Sequence, residues 1–115
     1  METSDALDAL SALSQETRLA VFRLLVRHEP DGVAAGALAK AIGVPANSMS
    51  VHLGVLSQAG LVTSERRSRS IIYRADLGRF RELMLFMLKD CCNGRSEICA
   101  PLIADLTPCC APVSA

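Results

Sequence analysis

The stretch AIGVPANSM, residues 41–49, places the tightest limit on what this chain can become. Gly43 ends a short helix expected over about 34–42, because a left-handed residue is favoured just past a helix end. Pro45 opens another helix, expected over about 46–59, since its fixed φ suits a helix start. Met49, Leu53 and Leu56 recur at spacings of four and three, one stripe of that second helix, and Gly60 ends it. Two short helices so close in sequence must turn sharply and pack against each other.

This is the spacing of a helix-turn-helix. The residues after it sharpen the reading. In LVTSERRSRSIIYRADL, Val62 and Thr63, then Ile71, Ile72 and Tyr73, are β-formers on either side of an Arg-rich tip. They predict a two-stranded hairpin over about 61–66 and 70–75. Asp76 can cap a last helix over about 77–91, with Phe80, Leu83, Met84, Met87, Leu88 and Cys91 on one stripe. Upstream, Leu7, Leu10 and Leu13 suggest a first helix with one apolar stripe. Ser14 can cap a second helix, about 15–28, expected to bury Leu19, Phe22, Leu25 and Val26. His28 reads as a helix-end residue near favourable carbonyl dipoles.

The fold class expected is mainly α with a small β-hairpin. Of 115 residues, 50% are hydrophobic, with three Phe, one Tyr and no Trp. Aliphatic side chains must do the packing, which fits helices, and a chain this small often completes its core as a homodimer. Net charge is zero but uneven. Residues 62–81 carry six arginines against Glu65 and Asp76, while both flanking segments are net acidic. A local basic block can supply phosphate contacts while the whole chain stays neutral. METSDALDAL has no basic flank and no apolar core, and no run is long enough to span a bilayer, so a cytoplasmic chain without a membrane partner is expected.

The segment SMSVHLGVLSQAGLVTSERRSRSIIYR resembles the recognition helix and wing of the ArsR/SmtB family of metal-sensing repressors, and SQETRLAVFRLL resembles its second helix. The resemblance covers about residues 5–90. It implies a winged helix-turn-helix, a homodimer on double-stranded operator DNA, release on metal binding, and no enzyme activity. Members with the commonest thiol site carry Cys-x-Cys on the first helix of the helix-turn-helix. Here the matching stretch is Val33-Ala34-Ala35-Gly36-Ala37-Leu38, without sulfur. Others bind zinc through Asp, His and Glu on the last helix, which has no His here.

The first residues of a recognition helix face base edges in the major groove. These are Ala46, Asn47, Ser48, Ser50 and Val51, of which Asn47 can contact adenine bidentately. His52 either touches DNA or packs at the helix flank. With no Arg or Lys among them, and Gly54 where the family often has a basic residue, phosphate attraction falls to Arg66, Arg67 and Arg69, with Arg74 as a further candidate. The alternative is a merely solvated hairpin face.

All five cysteines lie late: Cys91, Cys92, Cys99, Cys109 and Cys110. Eight helical residues rise about 12 Å, so Cys91, Cys92 and Cys99 meet only if the chain reverses, which Asn93-Gly94 permits. Soft thiolates without a nearby His suit trivalent arsenic or antimony, As(III) or Sb(III), held by three sulfurs. Zn²⁺, Cd²⁺ or Pb²⁺, with Cys109 or Cys110 as a fourth ligand, stays open, as does thiol redox sensing. Residues 1–92 are expected to form the DNA-binding and dimerisation domain, and 93–115 a cysteine-rich tail completing the inducer site.

Overall fold

The computed structural model describes residues 1–88 and Pro101. The chain divides into two units, Met1–Leu83 and Met84–Ala115. The element order is α1 (Thr3–Leu13), α2 (Glu16–Arg27), β1 (Val33–Ala34), α3 (Ala35–Ile42), α4 (Ala46–Gln58), β2 (Val62–Arg67), β3 (Ser70–Ala75) and α5 (Leu77–Leu88). The protein is mainly α with a small antiparallel sheet, as the sequence predicts. The last helix was expected to reach Cys91, and that portion lies outside the described residues.

The turn at the centre of the argument forms as expected. Gly43 sits in the left-handed region with φ 85°, and its N–H donates to the Ala39 carbonyl at 2.9 Å. A side chain there would be strained, so α3 stops and the chain redirects. Pro45, extended at φ −62°, precedes α4. Met49, Leu53 and Leu56 are all buried, with Leu25, Leu38 and Val21 of the neighbouring helices. Helix α2 is central: it packs on α1, α3, α4 and β3.

The α1 stripe faces the other way from expectation, and the α2 stripe is inward only in part. In α1 the buried residues are Ala6, Ala9 and Ala12, while Leu7 is 60% exposed and Leu10 is also exposed. Alanines let α1 approach α2 and α4 closely, and the leucines are left outside. In α2, Phe22 and Leu25 are buried with Val21, but Leu19 and Val26 are exposed. The α2 cap also differs. Gln15 accepts the Arg18 N–H at 2.9 Å, whereas the Ser14 hydroxyl donates back to the Ser11 carbonyl at 2.7 Å and ends α1.

The sheet has a third strand that the sequence did not announce, in the order β1-β3-β2. Val33 pairs with Tyr73 and Ala34 with Ile72. The hairpin register runs from Val62 opposite Ala75 to Arg67 opposite Ser70, so the turn is Ser68-Arg69. Asp76 caps α5 as expected, its carboxylate accepting the Arg79 N–H at 3.0 Å. On α5, Leu83 is buried, Phe80, Met84 and Leu88 are half-buried, and Leu85 and Met87 are exposed. Phe80 stacks in a tilted contact on Phe22, with ring centroids 5.4 Å apart.

Candidate nucleic-acid interface

The amphipathic pattern of α4 decides which of its residues face solvent. With Met49, Leu53 and Leu56 turned inward, Asn47, Ser50, Val51 and Gly54 fall at i, i+3, i+4 and i+7 on the opposite face, and all four are exposed. Val51 is 66% exposed. The Asn47 carbonyl oxygen accepts the Ser48 backbone N–H at 3.0 Å in the free protein, leaving its NH₂ group to donate. Ser48 is half-buried on the flank of this face. A Cβ built on Gly54 meets no atom within 4 Å, so the helix surface is flat and open there.

His52 stands apart from that face. It is half-buried, and its Nδ1 lies 3.4 Å from a terminal guanidinium nitrogen of Arg18 on α2. The Arg18 Nε donates to the Ala12 carbonyl at the end of α1, at 2.7 Å. One guanidinium therefore links α1, α2 and α4. A guanidinium only donates, so in this contact Nδ1 is the nitrogen placed to accept. Arg18 was not among the residues singled out from sequence. A charged residue on a helix reads as solvated until the neighbouring carbonyl and imidazole are seen.

The hairpin presents Arg66, Arg67 and Arg69 to solvent. Arg67 leans on Glu65 at 3.3 Å, with both side chains more than half exposed. Among the described residues, Arg66 and Arg69 make no ion pair. Arg74 is engaged within the protein. Its Nε and a terminal nitrogen donate to the two Glu29 oxygens at 3.1 and 2.8 Å. That hydrogen-bonded carboxylate raises the guanidinium pKa above its ordinary value. The pair fastens β3 to the connection after α2 through Nε and one terminal nitrogen.

Arg79 makes a second bracket. Its terminal nitrogens reach Asp5 on α1 at 3.7 Å and Glu82 at 3.4 Å, and its Nε approaches the Ala59 carbonyl at 3.5 Å. Gly60, with φ 79°, allows it to lie there, since a Cβ would stand 2.9 Å from Nε. A cation over the last carbonyls of α4 is favourably placed.

Cys91, Cys92, Cys99, Cys109 and Cys110 lie outside the described residues. Among the described residues no cluster of three His, Cys, Asp or Glu side chains could hold a metal ion. No described helix is long and apolar enough to cross a membrane.

Residues 13–65 match the family model of a helix-turn-helix domain. No curated protein matches the sequence. Among solved structures, the chain is similar to an ArsR-like transcriptional regulator from Rhodococcus sp. RHA1, with TM-score 0.68 and 28% identity over 88% of this chain and 89% of that one. It is similar to the transcriptional repressor BigR from Xylella fastidiosa, with TM-score 0.59 and 26% identity over 75% of this chain and 87% of that one. It shares a fold with a homodimeric winged helix-turn-helix DNA-binding domain from Mycobacterium bovis, a possible ArsR-family regulator, with TM-score 0.61 and 24% identity over 80% and 85% of the two chains. The chain thus carries a helix-turn-helix domain followed by a wing, and it is similar to transcriptional regulators of the ArsR type.

Proposed function

We propose that this protein is a transcriptional repressor. It binds operator DNA as a homodimer and leaves it when three thiolates, from Cys91, Cys92 and Cys99, bind trivalent arsenic or antimony. The observation that carries the DNA half is the exposed face of α4, where Asn47, Ser50 and Val51 stand free at helix spacing, together with the unpaired Arg66 and Arg69 of the wing. Asn47 reads a base, the serine serves a base or phosphate, and the arginines supply sequence-independent attraction. The inducer half rests on thiol chemistry. Soft sulfur ligands, the Asn93-Gly94 pair that permits a chain reversal, and the absence of sulfur from Val33 to Leu38 favour a three-sulfur site after α5.

Release needs little energy. A 100-fold loss of operator affinity corresponds to about 2.7 kcal/mol of coupling between the two sites. The decisive experiment is a gel shift with a duplex from the protein's own promoter, titrated with arsenite, antimonite, Zn²⁺, Cd²⁺ and Pb²⁺. We expect a specific shift that arsenite or antimonite reverses. Reversal by a divalent ion alone, with loss of the effect in the Cys109→Ser/Cys110→Ser variant, would move the site to a four-sulfur divalent centre. Absence of any specific shift would end the DNA reading.

A further inference from the structure

Helix α4 contains no Asp, Glu, Lys or Arg between Ala46 and Gln58. That limits the bases it can read. In the major groove Arg or Lys takes guanine by its O6 and N7, and Asp or Glu takes the cytosine amino group. Asn or Gln takes adenine, and thymine is marked by its 5-methyl group, which an apolar side chain matches. The exposed face of α4 offers the second set alone. Asn47 is exposed near its start, its oxygen turned to the Ser48 N–H and its NH₂ group left to donate. Val51, one turn further on, is 66% exposed, more than any other large apolar side chain among the described residues.

We propose that α4 reads A·T pairs: Val51 packs on the 5-methyl group of a thymine, and Asn47 pairs with an adenine about two base-pair steps away. The inference rests on the operator reading above and names the bases recognised. The spacing follows from the helix. Residues at i and i+4 are separated by about 6 Å of rise, and base pairs along the duplex by about 3.4 Å. Packing within the protein does not account for Val51, because α4 is held by Met49, Leu53 and Leu56, all buried.

A valine is short, so it reaches a base only if the helix axis comes close to the groove floor. The face around it permits that approach. Ser50 is small, and a Cβ at Gly54 would meet nothing within 4 Å, so no long side chain holds the duplex away. The charge that attracts phosphates sits elsewhere, on Arg66 and Arg69 of the hairpin, which make no ion pair among the described residues. Attraction and base reading are thus divided between two elements.

Fluorescence anisotropy tests the assignment, with the full, reduced chain and a duplex from its own promoter on which the protected bases have been mapped. Each protected thymine is replaced singly by uracil, which removes the methyl group and keeps the base pairing. At one position per half-site the wild type is expected to lose about fourfold in affinity, the worth of one buried methyl group. Val51→Ala should lose about as much on the thymine duplex, ignore uracil at that position, and keep wild-type affinity for random DNA. Val51 is exposed and alanine is the better helix former, so the variant should melt no lower than the wild type, which circular dichroism checks. Close to the sensitive thymine, 7-deazaadenine, which lacks the N7 acceptor, should cost the wild type several-fold and Asn47→Ala nothing. A wild-type chain that binds the promoter specifically but ignores every uracil leaves the operator reading standing and overturns the thymine contact. A Val51→Ala chain that keeps the wild-type sensitivity to uracil overturns the assignment to Val51. Indifference of the wild type to every 7-deazaadenine overturns the adenine contact of Asn47. Absence of specific binding overturns the operator reading and this one with it.

Discussion

Arg18 ties the end of α1 to the middle of α4 with one planar group, so its loss should be felt beyond its own surface. Arg18→Ala removes the 2.7 Å bond to the Ala12 carbonyl and the contact to His52. Hydrogen bonds to charged groups contribute about 1.5–3 kcal/mol, and partial exposure puts this one near the lower end. Thermal unfolding should register a loss of that size, and specific operator affinity should fall more than affinity for random DNA. The wing arginines should behave in the opposite sense. Arg66→Ala or Arg69→Ala should leave stability almost unchanged, weaken binding to any duplex and lower the salt slope by roughly one per residue. Arg67 already shares its charge with Glu65, in an exposed pair worth little. Glu65→Gln should therefore steepen the salt dependence. Equal slopes for all four proteins in a salt titration would remove the wing from the phosphate contacts.

At the scale of elements, α4 carries an unusual residue for an exposed helix interior. Gly54 costs roughly 1 kcal/mol relative to alanine there, and no atom stands within 4 Å of its missing Cβ. Gly54→Ala should raise the unfolding midpoint. If a duplex backbone comes close to this flat surface, the same change will weaken operator binding, so the variant reads stability and contact separately. The elements that sequence made legible are those with chemical punctuation. Gly43 and Pro45 bound the turn, Asp76 caps α5, and β-formers flank the Arg-rich tip. Strand β1 was not legible, because two residues show no alternation and its pairing with Tyr73 and Ile72 is purely long-range. The face of α1 was misread for a related reason. Its leucines and its alanines both form apolar stripes, and periodicity cannot say which stripe goes inward. Close approach to α2 and α4 selects the small side chains.

For the molecule as a whole, the two proposed activities should separate by mutation. Serine at Cys91, Cys92 or Cys99 should leave operator affinity within about twofold and blunt release by arsenite, because an alcohol is a harder and far less acidic ligand. X-ray absorption on the arsenic-loaded protein should count three sulfur neighbours. Normal release from all three variants would take the inducer away from these thiols. Sequence register put Asn47, Ser50, Val51 and the wing arginines on faces that the structure leaves exposed. It could not place His52 or Arg74, whose roles depend on Arg18 and Glu29, residues 34 and 45 positions away in the chain.

The outward leucines of α1 carry a consequence for dosage. A repressor that reads its operator only as a pair occupies it in proportion to the square of chain concentration while most copies are still single. If the exposed Leu7 and Leu10 belong to the pairing surface of such a repressor, they would set the number of copies a cell must hold before repression begins, and changing that ridge would move the threshold without touching a DNA contact or a thiol.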